Sequence, residues 1–156
     1  MSSSSSSEEC EWGLSKTLTG HVCGVTCCSW NPDGTLLTSG SAEGSVRMWN
    51  REGSLVKTLE RYRVRVNCCA WSADGALLAS APGDGVLQIW DRDGALLKTL
   101  RGHTGVVRAC AFARDGSFLA SGSADKTIRL WNRDGTLEET LEGHEGAVRC
   151  CAWSPS

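Results

Sequence analysis

Short apolar runs alternate with polar turn residues along almost the whole chain, and no segment carries a helical period. The stretch from Leu96 to Thr136 shows the pattern most plainly. Leu96-Leu97-Lys98-Thr99-Leu100 reads as a short strand, and Arg101 to Gly105 as a loop. Val106 to Phe112 is an apolar strand, followed by a turn at Arg114-Asp115-Gly116. Phe118 to Ser121 gives a third strand, ended by Ala124-Asp125-Lys126. Thr127 to Trp131 alternates polar and apolar residues, the mark of a half-buried strand. Strands this short, joined by tight turns, predict an all-antiparallel meander.

The same order recurs every 41 residues, as Trp49, Trp90 and Trp131 show. His21, Tyr62, His103 and His144 share a second phase; Trp30, Trp71, Phe112 and Trp153 share a third; Leu18, Leu59, Leu100 and Leu141 share a fourth. Asp33-Gly34, Asp74-Gly75 and Asp115-Gly116 repeat one turn, and Asp-Gly suits hairpins that need positive φ. The prolines Pro32, Pro82 and Pro155 fall in turns or at the end, where a missing N–H does no harm. A period of this length means one supersecondary unit copied along the chain. Such a unit cannot bury its apolar faces alone, so neighbouring copies must stack. The copies run over about 14–54, 55–95 and 96–136, with a partial copy at 137–156. Residues 1–11 (Met, six Ser, two Glu, Cys, Glu) predict a disordered tail, leaving 12–156 as the repeat segment.

Composition narrows the function. The 156 residues suffice for one domain. With 16 Lys and Arg against 18 Asp and Glu, the net charge of −2 argues against nucleic acid as partner and against a polybasic membrane anchor. The longest apolar stretches fall far below the ~20 residues that span a bilayer. The first residues have neither a positive nor an apolar signal-peptide region, so the cytoplasm or the nucleus is the expected location. Seven of the nine cysteines (Cys27-Cys28, Cys68-Cys69, Cys110, Cys150-Cys151) occupy two repeat phases and read as small core filler. Adjacent cysteines lack zinc-ligand spacing, so no metal is expected. Cys10 and Cys23 lie outside those phases and are the candidates for exposed thiols. No phosphate-binding loop, HExxH or dinucleotide fingerprint is present, and no cofactor is expected.

Gly20-His21 with Trp49-Asn50, Gly102-His103 with Trp131-Asn132, and Trp90-Asp91 resemble the GH…WD signature of the WD-repeat β-propeller family, over about residues 12–156. The resemblance implies radial blades of four strands around a channel, with strand a innermost and strand d outermost. Strands a would be Val25–Trp30, Val66–Trp71, Val106–Phe112 and Val148–Trp153. Strands d would be Leu14–Leu18, Leu55–Leu59, Leu96–Leu100 and Leu137–Leu141. The expected fold is therefore all-β: an incomplete propeller of three four-stranded antiparallel blades plus an orphan N-terminal strand d and an orphan C-terminal strand a. A ring needs at least about four blades, so further blades from a longer parent chain, or from a second chain, are expected to close it. A two-chain ring would leave each junction with strands a and d and nothing between them, so a fragment of a longer protein is the simpler reading. Alone, the chain should form an open arc with exposed apolar flanks and a tendency to aggregate.

The family also implies a buried hydrogen-bond chain from Trp to Ser to His to Asp. In the third copy the matching residues are Trp131, Ser121, His103 and Asp125. The first copy has Trp49, Ser39 and His21 but Glu43 at the acid position. The second has Trp90, Ser80 and Asp84 but Tyr62 in place of His, so its chain should be broken or rerouted and its blade the weakest. Ser, His and Asp are also the residues of a hydrolase triad. Their recurrence at fixed phase, the Trp donor and the lack of a Gly-x-Ser-x-Gly elbow favour the structural role, so no enzyme is expected. Partner contacts in this family gather on the rim loops. Arg61, Tyr62, Arg63 and Arg65 there, with Arg108 and Arg149 on strands a, form a candidate basic patch for an acidic peptide, a phosphate or a carboxylate. The expected function is a non-enzymatic protein-interaction scaffold in a multiprotein complex. A regulatory or autoinhibitory module of a larger enzyme or ATPase is the alternative, and a ribonucleoprotein scaffold a weaker one.

Overall fold

The computed structural model describes residues 15–154, apart from the side chain of Arg61, and the secondary structure within them is entirely β. Strands β1 (Val25–Trp30), β2 (Leu36–Ser41), β3 (Ser45–Asn50) and β4 (Leu55–Arg61) form the first sheet. Strands β5 (Val66–Trp71), β6 (Leu77–Pro82), β7 (Leu87–Asp91) and β8 (Leu96–Leu100) form the second. Strands β9 (Val107–Phe112), β10 (Phe118–Ser123), β11 (Ile128–Asn132) and β12 (Leu137–Leu141) form the third. Within each sheet every strand pairs antiparallel with its neighbour in sequence, so each blade is a meander. The turn joining the first two strands of each blade uses Gly34, Gly75 and Gly116 at φ 69, 68 and 72, a region costly for residues that carry a Cβ.

The core lies between the blades. One cluster joins Met48 of the first blade to Cys69, Trp71, Leu78 and Trp90 of the second. The other joins Leu87, Ile89 and Leu100 of the second blade to Val107, Leu119 and Trp131 of the third. Polar contacts repeat at the same junctions. Thr26 donates to the Val66 carbonyl at 2.5 Å, and Asn67 to the Val107 carbonyl at 2.9 Å, tying the inner strands together. Arg92 pairs with Asp33, and Arg133 with Asp74, each at 2.5 Å across a junction.

The segments at the two ends take no strand. Residues 15–18 and 148–153 pair in no ladder among the described residues; Leu14 lies outside them. Both segments nevertheless lie against the adjoining blade. Lys16 donates to the Glu52 carbonyl. The Val148 amide donates to the Ser123 carbonyl at 2.9 Å, and the Trp153 indole to the Ala111 carbonyl at 2.8 Å. The Trp153 ring also stacks on Phe118 at 6.3 Å. The result is an arc of three stacked blades, open at both ends. Trp71 at a junction is 8% exposed, while Trp30, its repeat equivalent at the open flank, is 51% exposed.

The cysteines follow the same logic and correct the expectation for two of them. Cys68 and Cys69 are buried at junctions, but Cys28 and Cys150 are exposed, like Cys23. Cys69 lies against the Thr38 carbonyl of the preceding blade, and Cys28, its repeat equivalent, has no preceding blade to face. Cys10 lies outside the described residues.

Candidate functional site

The polar chemistry of each blade gathers where the loop entering its inner strand meets the turn between its second and third strands. In the third blade this loop carries His103, β10 carries Ser121, the turn carries Asp125 and β11 carries Trp131. The Trp131 indole donates to Ser121 Oγ at 2.8 Å, and His103 Nε2 lies 2.8 Å from the same oxygen. His103 Nδ1 lies 2.7 Å from Asp125 Oδ2. Asp125 also accepts from the Thr127 hydroxyl at 2.7 Å and the Thr104 amide at 3.0 Å. Burial pushes the Asp125 carboxyl up, but the bonds from Thr127 and His103 outweigh it and leave the acid well below its ordinary range. Burial lowers the His103 imidazole below its usual value despite the Asp125 contact, and the nearby Arg129 cation adds to that lowering. Ser121 is fully buried, and its hydroxyl is engaged by both Trp131 and His103.

The first blade builds the same chain with a longer acid. Trp49 donates to Ser39 at 2.8 Å, His21 Nε2 lies 2.7 Å from Ser39, and His21 Nδ1 lies 2.9 Å from Glu43. Glu43 accepts from the Ser45 hydroxyl at 2.5 Å, which with His21 holds its carboxyl down at about 2. The extra methylene is absorbed without loss of any link.

The second blade is rerouted. Trp90 still donates to Ser80 at 2.9 Å. Tyr62 turns its phenol to Gln88 and also hydrogen-bonds Ser80, and burial raises its pKa well above the ordinary value. Asp84 is left out of the chain, accepting among the described residues only from the Val86 amide of its own turn, at 3.4 Å. A phenol oxygen reaches Ser80, but unlike imidazole it offers no second ring nitrogen for the acid.

Gln88 belongs to a position that the motif reasoning passed over. Its repeat equivalents are Arg47 and Arg129. A Cβ on Gly20 or Gly102 would strike the guanidinium group of Arg47 or Arg129, respectively. The second copy replaces both partners at once, with Arg61 for glycine and Gln88 for arginine. That paired exchange was the available signal. Arg47 Nε and Arg129 Nε are buried without a hydrogen-bond partner.

The candidate rim residues divide. Arg63 and Arg65, between β4 and β5, are exposed, as are Arg108 on β9 and Arg149 in the C-terminal segment. None of these four side chains makes a hydrogen bond or ion pair among the described residues. Tyr62 is withdrawn from the patch, since its half-buried phenol is held inside the second blade. The side chain of Arg61 lies outside the described residues. No group of three or more His, Cys, Asp or Glu converges as a metal site among the described residues.

Comparison with known proteins places this architecture. The WD40 family model, described as WD domain, G-beta repeat, matches residues 12–50, 53–91, 94–132 and 135–156. No match among curated proteins accompanies it. Among solved structures, the chain is similar to U3-55K at 30% identity and TM-score 0.83, covering 86% of this chain and 44% of that one. It is similar to the RRP9 WD40 repeats at 31% identity and TM-score 0.83, covering 86% of this chain and 43% of that one. The chain thus spans less than half the length of these two relatives. The computationally designed Ika4 protein is similar at 26% identity and TM-score 0.79, covering 88% of this chain and 84% of its own. WD40 repeats generally mediate protein–protein interactions, and proteins built on them are typically non-enzymatic scaffolds. With three four-stranded meander blades and the Trp–Ser–His–acid chain in two of them, the chain belongs to the WD40 repeat family.

Proposed function

We propose that this chain is a non-enzymatic interaction module that presents its arginines to an acidic peptide segment of a partner protein within a larger complex. The observation that carries this reading is the contrast between two sets of polar residues. The Ser, His and acid side chains of the first and third blades are consumed by internal bonds, while Arg63, Arg65, Arg108 and Arg149 are exposed and have no anionic partner among the described residues. Arginine's planar fork suits carboxylates, and an unpaired arginine gives up no existing ion pair on binding. A cytoplasmic or nuclear setting goes with this reading, since the described cysteines are all free thiols.

The test uses a fluorescein-labelled oligoglutamate peptide, followed by anisotropy at rising salt. Salt-sensitive binding that weakens about tenfold in the double variant R63E/R65E is expected. No binding at low salt, or binding indifferent to that variant and to R108E/R149E, would overturn the reading.

A further inference from the structure

The two open flanks of the arc carry the two halves of the contact that joins its blades. Across the junctions, the arginine after the third strand pairs with the aspartate in the first turn of the preceding blade: Arg92 with Asp33, and Arg133 with Asp74. The series leaves Arg51 on the first blade and Asp115 on the third, both exposed and neither ion-paired among the described residues. The apolar surfaces end in the same way. Leu78 and Leu119 are buried at junctions, while their equivalent Leu37 is only half-buried and lines a 410 Å³ groove with Leu18, Trp30 and Arg51. On the other flank, Ile128, Leu130 and Leu141 line an open apolar groove of 310 Å³. Their equivalents Leu87, Ile89 and Leu100 are buried under Leu119 and Trp131 of the next blade.

We infer that the third blade of one copy of this chain docks on the first blade of a second copy, in the stacking used inside the arc, with Asp115 of one copy pairing with Arg51 of the other. The end segments are placeholders for that contact. Val148 to Trp153 repeats the Val, Cys-Cys and Trp of β1 and rests where β1 of an incoming first blade would lie. Leu18 sits at Gly53 as Leu59 sits at Gly94 and Leu100 at Gly135, which is the place Leu141 of an incoming third blade would take. Neither segment is held by a ladder; displacing them breaks the Lys16, Val148 and Trp153 hydrogen bonds and uncovers the buried Val148 and the Trp153–Phe118 stack, contacts that the incoming strands would have to restore. Glu139 stands at the phase of Lys16, Lys57 and Lys98, so the lysine-to-carbonyl bond of the other junctions is not reproduced. The docking is head-to-tail, and two copies related by a closing rotation would bury both pairs of flanks. It uses the flanks and not the arginine rim, so it stands or falls independently of the peptide-binding reading.

Sedimentation equilibrium of the full chain over a concentration series tests the inference, with circular dichroism confirming that each variant keeps its β signal. Reversible association is expected for the unaltered chain. Arg51→Glu and Asp115→Arg should each weaken it about tenfold, and the double variant R51E/D115R should recover most of the loss. A monomer at every concentration, or association that both single variants leave unchanged, would overturn it. So would a double variant as weak as the two single losses combined.

Discussion

Asp125 and Asp84 occupy the same position in two repeats and do different work. Asp125 is half-buried, with a side chain 7% exposed, and receives His103, the Thr104 amide and the Thr127 hydroxyl. Asp84 receives one long bond from its own turn. Removing an acceptor costs most when several buried donors lose their partner together. Asp125→Ala is therefore expected to cost about 2–4 kcal/mol, and Asp84→Ala less than about 1 kcal/mol, in urea unfolding followed by circular dichroism. Equal costs would mean that the His103 chain contributes nothing beyond an ordinary turn cap. The motif alone marks both aspartates alike. What separates them is Tyr62, whose phenol finds Gln88, a partner readable in the sequence only as the paired change at Arg61 and Gln88.

At the scale of the blade, the junction is what the strands build toward, and its two kinds of contact differ in weight. Leu119 is 2% exposed within the cluster shared by the second and third blades. The Arg133 and Asp74 side chains, at 43% and 48% exposure, remain in water that screens their attraction. Leu119→Ala should cost about 2–5 kcal/mol through lost burial and the cavity left behind. Arg133→Ala should cost less than about 1 kcal/mol despite its short ion pair. Thermal unfolding of the two variants checks the ranking, and a larger loss in the arginine variant would reverse it. The exposed pair then acts in alignment more than in stability, which is the part assigned to Arg51 and Asp115 between copies.

For the whole molecule, stability should follow the number of stacked neighbours. The second blade has a neighbour on each side, and the first and third have one each. Four of the six residues of its inner strand β5 are buried and none of those of β1, the equivalent strand of the first blade; three of five are buried in β7 and one of five in β11, its equivalent in the third. In a linear stack, each blade is held by its own bonds plus its interfaces, and the interfaces dominate when the blade alone buries little. Hydrogen exchange in dilute solution, where single copies prevail, should find the slowest amides in β6 although that blade has lost its His–acid link. Slowest exchange in β2 or β10 would show that the internal chain outweighs the neighbours.

The 41-residue period, the Asp-Gly turns and the alternation along each run determined by themselves the antiparallel blades and the order of their strands, because pleat and turn geometry are local, while strand ends moved, β4 running on to Arg61 and β10 to Ser123. The Trp–Ser–His–acid sets of the first and third copies, and the Tyr62 departure in the second, were legible through the family resemblance. Tertiary structure decided the rest. Whether Val148–Trp153 pairs as a strand depends on a neighbour, and only the folded arc shows that it has no strand partner among the described residues. Whether a cysteine is core or surface depends on which side of it a blade stands, which separates Cys69 from Cys28 at one repeat phase. Whether an arginine is free depends on a partner 59 residues away, which Arg92 and Arg133 have and Arg51 lacks. A repeated sequence writes the same local instructions into every copy; the ends differ from the middle because burial and pairing belong to neighbours in space.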